Sequence, residues 1–261
     1  MEWRFAEGNV GRLSTNAEEL VRLKVELITT VSSNSATTAA KRATRTIPIV
    51  MHLAEAPVEQ GLIESLARPS GNVTGTTGIG PEAVGKVIQI LKEAQPNTAR
   101  VAVLRGGTGP GDLYSVSRER AAGAFGITFQ YFDVTRPEEV SVALYRIASS
   151  NPDALYVTGG PVLRARFGDI VAFALERKLI TFTNSFSFVN AGGFLAYVTD
   201  LPDMWDLTAR YVDSILKGAR PADLPVEQPR KFLLIVNAKT ARAIGFKIPQ
   251  SLLLRADRVI E

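Results

Sequence analysis

Residues 100–134, "RVAVLRGGTGPGDLYSVSRERAAGAFGITFQYFDV", decide the fold class of this chain. A β-branched run, Val101–Leu104, ends in a glycine-rich loop, Gly106–Gly111. Asp112 can cap a helix that continues to Ala124, and Thr128–Asp133 reads as the next strand. Strand, loop, helix and strand in so short a span make the unit of a parallel sheet, whose neighbouring strands need a crossover that a helix supplies. The glycines invite a nucleotide reading. The loop lacks both the Gly-Lys-Ser/Thr ending of a nucleoside-triphosphate site and the Gly-x-Gly-x-x-Gly spacing of a dinucleotide site, so an ordinary βα turn or a ligand-facing loop remains.

The same alternation extends outward in both directions. Downstream come a helix at Pro137–Ser149, strand Ala154–Val157, helix Val162–Lys178 and strands Ile180–Thr183 and Phe194–Val198. A helix at Pro202–Lys217 and a final strand at Phe232–Val236 follow. Upstream, Thr15 and Glu18 form a capping box for a first helix, ahead of strand Leu27–Val31 and an alanine-rich helix to Ala43. Then come strand Ile47–Met51, helix Val58–Ala67, strand Asn72–Thr76 and a helix opened by Pro81. Two runs of βα units joined near Gln95–Arg100 predict two similar lobes.

Composition narrows the function. The chain of 261 residues is 46% hydrophobic and 21% charged, long enough for two lobes with separate cores. Thirty basic and 26 acidic residues leave a net charge of +4. The basic residues are dispersed rather than gathered in a stripe, which argues against nucleic-acid binding. Cysteine is absent and His52 is the single histidine, so thiolate zinc sites, cysteine nucleophiles and a Ser-His-Asp triad find no support, and no cofactor is implied. No apolar run reaches membrane-spanning length. Met1-Glu2-Trp3-Arg4 does not read as a secretory leader, so the chain taken alone reads as cytoplasmic.

In open parallel sheets ligands sit at the carboxyl ends of strands. That rule selects Ser32–Ser35, Ala54–Pro57, Thr76–Gly80, Arg105–Gly111, Thr158–Pro161 and Asn184–Phe188. The candidate ligand-binding residues in them are Ser33, Asn34, Ser35, Glu55, Thr76, Arg105, Thr108, Gly159, Gly160, Asn184, Phe186 and Phe188. Each has a plainer alternative. Ser32–Ser35 suits anion binding at a helix start but equally a simple cap. Glu55 meets a ligand or only solvent. Phe186 and Phe188 lie beyond a strand, where at least one is expected to face the ligand, whereas Phe182 and Phe194 are expected in the core. His52 reads as a packed residue, and Arg164 and Arg166 as an exposed face.

Four stretches together carry a resemblance: "AEELVRLKVELI" (17–28), "AAKRATRTIPIV" (39–50), "GLIESLARPSGNVTG" (61–75) and "ILKGARPADLPVEQPRKFLLIVNAKTARAIGFKIPQSLLLRADRVIE" (215–261). They closely resemble the ABC-transporter substrate-binding family that includes tryptophan- and tyrosine-type solute-binding proteins. The resemblance spans Trp3 to Glu261, and its C-terminal stretch is the most specific part. It implies a two-lobed type 1 periplasmic binding fold, with parallel sheets flanked by helices. It also implies a small-molecule solute held by hinge closure, delivery to an ABC permease in the membrane, and no enzymatic activity. Three hinge crossings would divide the chain into 1–98 plus 199–219 and 99–198 plus 220–261. A ligand-sensing domain of a regulator uses the same architecture and is the alternative, with an acid-base enzyme on the same scaffold behind it.

Two departures from the family matter. Relatives begin with an export signal, a strand and a helix, whereas this chain begins at what resembles their second strand, "EWRFAEGN" (2–9). The first lobe is therefore expected to lack its first βα unit, and periplasmic location is expected if a signal lies upstream. Trp3–Phe5 would then pair with strand Leu27–Val31 or leave an open edge that a second copy covers, giving a homodimer. The second departure is in the pocket. Relatives commonly carry Gly-Thr-Pro-Ala, Asp-Pro-Val, Pro-Asp-Pro and Arg-Glu-Phe. Here those places hold Ser33-Asn34-Ser35-Ala36, Ala56-Pro57-Val58, Gly159-Gly160-Pro161 and Phe186-Ser187-Phe188. Charge disappears at the last three. A buried ammonium needs a carboxylate partner, so a flat, partly apolar molecule, neutral or carrying one carboxylate, such as an aromatic acid, is expected rather than a zwitterionic amino acid. Its carboxylate would lie at the Ser33–Ser35 helix start.

Overall fold

The computed structural model of the chain describes residues 1–7, 9, 11–78, 81–106 and 115–261. They divide into two compact units, Met1–Gly80 with Thr199–Lys231 and Pro81–Val198 with Phe232–Glu261. The backbone passes from one unit to the other three times.

In the first unit α1 (Arg12–Arg22), β1 (Ile28–Val31), α2 (Asn34–Ala43), β2 (Ile49–Ala54) and β3 (Val73–Thr77) follow in order. The chain then builds α3 (Pro81–Ala94), β4 (Arg100–Gly106), α4 (Ser115–Ala124), β5 (Thr128–Val134), α5 (Val140–Ser150) and β6 (Ala154–Val157). The second unit continues with α6 (Pro161–Arg164), α7 (Phe167–Glu176), β7 (Ile180–Thr183), α8 (Phe186–Asn190) and β8 (Leu195–Thr199). Helix α9 (Leu201–Leu216) belongs to the first unit, and β9 (Phe232–Asn237), α10 (Ala238–Ile244), α11 (Gln250–Arg255) and β10 (Arg258–Ile260) to the second.

The first unit's sheet has the order β1-β2-β3, with parallel register Ile28↔Ile49 and Ile49↔Val73. Alternation along β2 sends Ile49 and Met51 to one face, where Ile28, Ala40, Leu62 and Ile63 cover them. Val50 points to the other face, against Met204, Leu207, Tyr211 and Ile215 of α9. These α9 positions recur at helical spacing, which is why the helix docks by that stripe.

The second unit's sheet has the order β10-β9-β8-β7-β6-β4-β5, and β4 runs parallel to both β5 and β6. Along β4, Val101 and Val103 join the core beneath α3, α10 and α11, while Ala102 and Leu104 join the core beneath α5 and α7. A sheet covered on both faces needs near-continuous apolar strands, as the buried parts of β4 and β6 are.

Several sequence expectations change. The unit boundary falls at residue 80 rather than 98, because α3 buries Ile88, Ile90 and Leu91 with Val101 and Val103 of the second unit. The later one falls at 231 rather than 219. Residues 226–227 stay with the first sheet, where the Val226 N–H donates to the Leu66 carbonyl at 2.7 Å and the Glu227 N–H to that of Gly75 at 3.1 Å. Helix α1 starts at Arg12 without a side-chain cap, so Thr15 and Glu18 lie inside it. Val58–Ala67 is a run of turns, not a helix, and two of its carbonyls, Gly61 and Leu62, accept from Lys41 Nζ. Its apolar residues Leu62 and Ile63 plug the core instead. The helix expected at Val162–Lys178 is two, α6 and α7, and Phe232–Val236 is followed by one more strand, β10.

Trp3–Phe5 form no strand. Their rings stack on each other, 6.2 Å apart, largely exposed, while Arg4 Nε donates to Glu19 of α1 at 2.8 Å. Among the described residues β1 therefore pairs only with β2 and leaves an open edge.

One glycine sets the geometry of β2 against β3. Gly75 has φ +128, and a Cβ there would lie 2.1 Å from the Met51 carbonyl oxygen, beside the register shift between Met51 and Ala54. No side chain fits, and the conformation itself is one that L-residues rarely adopt and achiral glycine accepts. Gly75→Ala is expected to cost at least about 2 kcal/mol of stability, read as a lowered midpoint in urea unfolding.

Candidate functional site

The carboxyl ends of the parallel strands carry the candidate loops in each unit. In the first unit the backbone is held in uncommon conformations where β1 and β2 end: Ser32, Leu53 and Ala56 have φ of 47, 54 and 41. Non-glycine residues hold such angles only where surrounding bonds over-determine them. Those bonds are visible. Asn34 Nδ2 donates to the Glu55 carbonyl at 2.5 Å, and the Glu55 N–H donates back to Asn34 Oδ1 at 3.0 Å. Ser33 Oγ caps α2 by accepting from the Ala36 N–H at 3.1 Å. The Thr76 hydroxyl, wholly buried, accepts from the Leu53 N–H at 3.0 Å. Ser33, Asn34 and Thr76 thus fasten this rim together. Ser35 and Glu55 are exposed on it.

His52, 2% exposed, closes the same strand end from beneath. Its ring stacks on that of Trp205 of α9 at 3.7 Å, and Nδ1 lies 2.7 Å from the Thr208 hydroxyl. That hydroxyl donates to the Met204 carbonyl at 2.9 Å, so it accepts from Nδ1–H and fixes the neutral tautomer. Sequence reading expected a packed histidine but had no signal for its partner. Trp205 lies off the apolar stripe of α9 and is 46% exposed.

In the second unit the candidates separate into tied and spare groups. Arg105 is tied: Nε and Nη2 donate to the two carboxylate oxygens of Asp133 at 2.5 and 2.7 Å, and the guanidinium lies 4.3 Å from the Tyr131 ring centroid. Thr108 lies outside the described residues. Thr158 donates both its N–H and its hydroxyl to the Leu104 carbonyl, at 3.1 and 3.3 Å. Phe188 is a correction to the sequence reading: it is 0% exposed and packs edge-on against Phe167, ring centroids 5.0 Å apart. The short helix α8, unread in the sequence, turns Phe188 into the core and leaves Phe186 half-buried, with the Arg258 guanidinium 5.6 Å from its centroid. Phe182 and Phe194 are core residues as expected.

The spare groups lie together. Gly159 adjoins Ser185: a Cβ on it would be 3.7 Å from the Ser185 Cβ and 3.9 Å from its Oγ. Gly160 has φ +123, which glycine alone accepts readily. The N–H groups of Gly159 and Gly160, the Ser185 hydroxyl and Asn184 Nδ2 make no hydrogen bond among the described residues. Asn184 Oδ1 is buried without a partner, a state that costs about 1–3 kcal/mol. Ser185 was inside a selected loop but was not singled out, since its neighbour Gly159 is remote in sequence.

Two units of parallel α/β structure, crossed three times by the chain, form the architecture that two-unit solute-binding proteins share with the ligand-sensing domains of regulators. The ABC transporter substrate binding protein family matches residues 1–260, and the chain belongs to that family. It is therefore a solute-binding component of an ABC transporter. It is 24% identical over 256 residues to the tyrosine-binding protein of Clostridioides difficile, covering 95% of this chain and 71% of that protein. A conserved domain protein of Vibrio cholerae O1 biovar eltor has a similar structure, with TM-score 0.89, 26% identity and coverage of 99% and 86%. So does the ABC domain from Streptococcus pneumonia in complex with L-Trp, with TM-score 0.87, 26% identity and coverage of 98% and 88%. Among the described residues no helix is long and apolar enough to cross a membrane.

Burial lowers the His52 pKa from 6.5 to about 4. The unfolded chain then takes up a proton below pH 6.5 that the folded protein refuses until about pH 4, so the stability His52 contributes is present above 6.5 and lost as pH falls. Between pH 7 and pH 5 the protein is expected to lose about 2 kcal/mol more stability than His52→Gln, measured by urea unfolding at both pH values.

Proposed function

We propose that this solute-binding protein takes a small aromatic acid, works outside the cytoplasmic membrane, delivers the acid to an ABC permease and performs no chemistry on it. The observation that carries the ligand class is the chemistry of the second unit's strand-end loops. Residues 158–164 and 183–190 contain Phe186 but no acidic residue. An aromatic ring finds apolar surface there, whereas an ammonium taken out of water finds no carboxylate. The relatives support the aromatic half of the reading, one being described as tyrosine-binding and another being complexed with L-Trp. The loops of this chain support the other half, an acid without the amine.

Titration calorimetry with 4-hydroxyphenylacetate tests the reading. Binding is expected, with the compound recovered unchanged, and Phe186→Ala is expected to weaken it by about 1–3 kcal/mol, the scale of a lost aromatic contact. Conversion of the compound, or full affinity in Phe186→Ala, would contradict it.

A further inference from the structure

We infer that the loops Thr158–Gly160 and Asn184–Ser185 form a donor-only seat for the solute's carboxylate, which therefore lies on the second unit and not at the start of α2. The inference rests on the aromatic-acid reading and assigns its charged end to particular atoms.

Its first ground is the count of uncommitted groups. At the start of α2 the Ser33 hydroxyl and the Asn34 amide are engaged with the Ala36 N–H and the Glu55 backbone, which leaves the Asn34 and Ser35 N–H groups and the exposed Ser35 hydroxyl beside the acidic Glu55. On the second unit, the Gly159 and Gly160 N–H groups, Asn184 Nδ2 and the Ser185 hydroxyl are uncommitted among the described residues, and no acid adjoins them in sequence. Three of these four can only donate, and the hydroxyl can donate. Such a set answers an acceptor-rich group, and a carboxylate offers about four lone-pair sites.

The second ground is Asn184 itself. Its Oδ1 is sealed from solvent with nothing donating to it. With the oxygen turned inward, the amide presents its NH2 end as the free end. That outward NH2 end can only donate, and a carboxylate is the ligand group that accepts from it. The third ground is electrostatic. No acidic residue lies in either loop, and the Arg258 guanidinium beside Phe186 has no ion-pair partner among the described residues. Charge-assisted hydrogen bonds from neutral donors in such surroundings favour an anion over a cation.

Three compounds sharing one phenol ring separate the possibilities: 4-hydroxyphenylacetate, tyramine and L-tyrosine, bearing an acid, an amine and both. The acid is expected to bind at least tenfold tighter than tyramine. Asn184→Asp, which sets a negative charge in the seat, is expected to weaken the acid at least tenfold and to narrow its lead over tyramine. Ser185→Ala, a milder change, is expected to weaken the acid severalfold and leave tyramine unchanged, which keeps the test intact should the aspartate variant fold poorly. Tyramine or L-tyrosine binding as tightly as the acid would overturn the seat while leaving the solute-binding role standing. So would full affinity for the acid in both variants. Failure of all three compounds to bind would remove the aromatic-acid reading, and the seat with it.

Discussion

Every strand pairing described by register in this protein is parallel, and most of its architecture follows from that constraint. Parallel neighbours cannot be joined by a tight hairpin, so each strand must be followed by a return crossing over a face of the sheet. The helices that make those crossings bury both faces, which is why β4 and β6 carry buried apolar residues on either side and the hydroxyls of Thr181 and Thr183 in β7 are hydrogen-bonded. The same constraint places all carboxyl ends of a sheet along one rim. The loops on that rim are positioned by the core without having to be absorbed into it.

The two rims use their polar groups differently. In the first unit, Ser33, Asn34 and Thr76 hold Ser32, Leu53 and Ala56 at left-handed backbone angles. Their hydrogen bonds are internal and make the rim stiff. In the second unit the ties are Thr158 on Leu104 and Thr183 on Val157, the latter at 2.7 Å, both one residue short of the spare donors. A hydroxyl anchored at the end of each strand sets the direction of the loop and leaves the next residues free. That arrangement pre-organises Gly159, Gly160, Asn184 and Ser185 at little entropic cost on binding.

Much of this was legible in the sequence because strand-forming runs are local. Val101–Leu104, Ala154–Val157 and Ile180–Thr183 announce themselves by composition, and the rule that ligands meet strand carboxyl ends then selects the rims. What was not legible depends on partners distant along the chain. Nothing near Asn34 says that its amide is engaged by Glu55, nor does anything near Arg105 point to Asp133. Phe186 and Phe188 look equivalent in a loop, and only a helix as short as α8, below the length at which periodicity speaks, sends one inward. Val58–Ala67 misled for a related reason. Its apolar spacing suits a helix, but left-handed Ala56 and Gly61 break it into turns that bury Leu62 and Ile63 individually.

The proposed seat puts the solute on the second unit's strand-end loops. Amide hydrogen exchange reads it directly, because the Gly159 and Gly160 N–H groups have no acceptor among the described residues and should exchange quickly in the free protein. With saturating 4-hydroxyphenylacetate, slowed exchange is expected in peptides covering 158–160 and 184–187, and no change at the opposite strand ends, 97–100 and 151–154. Protection at those opposite ends, or none at 158–160 under conditions where calorimetry shows binding, would contradict the account.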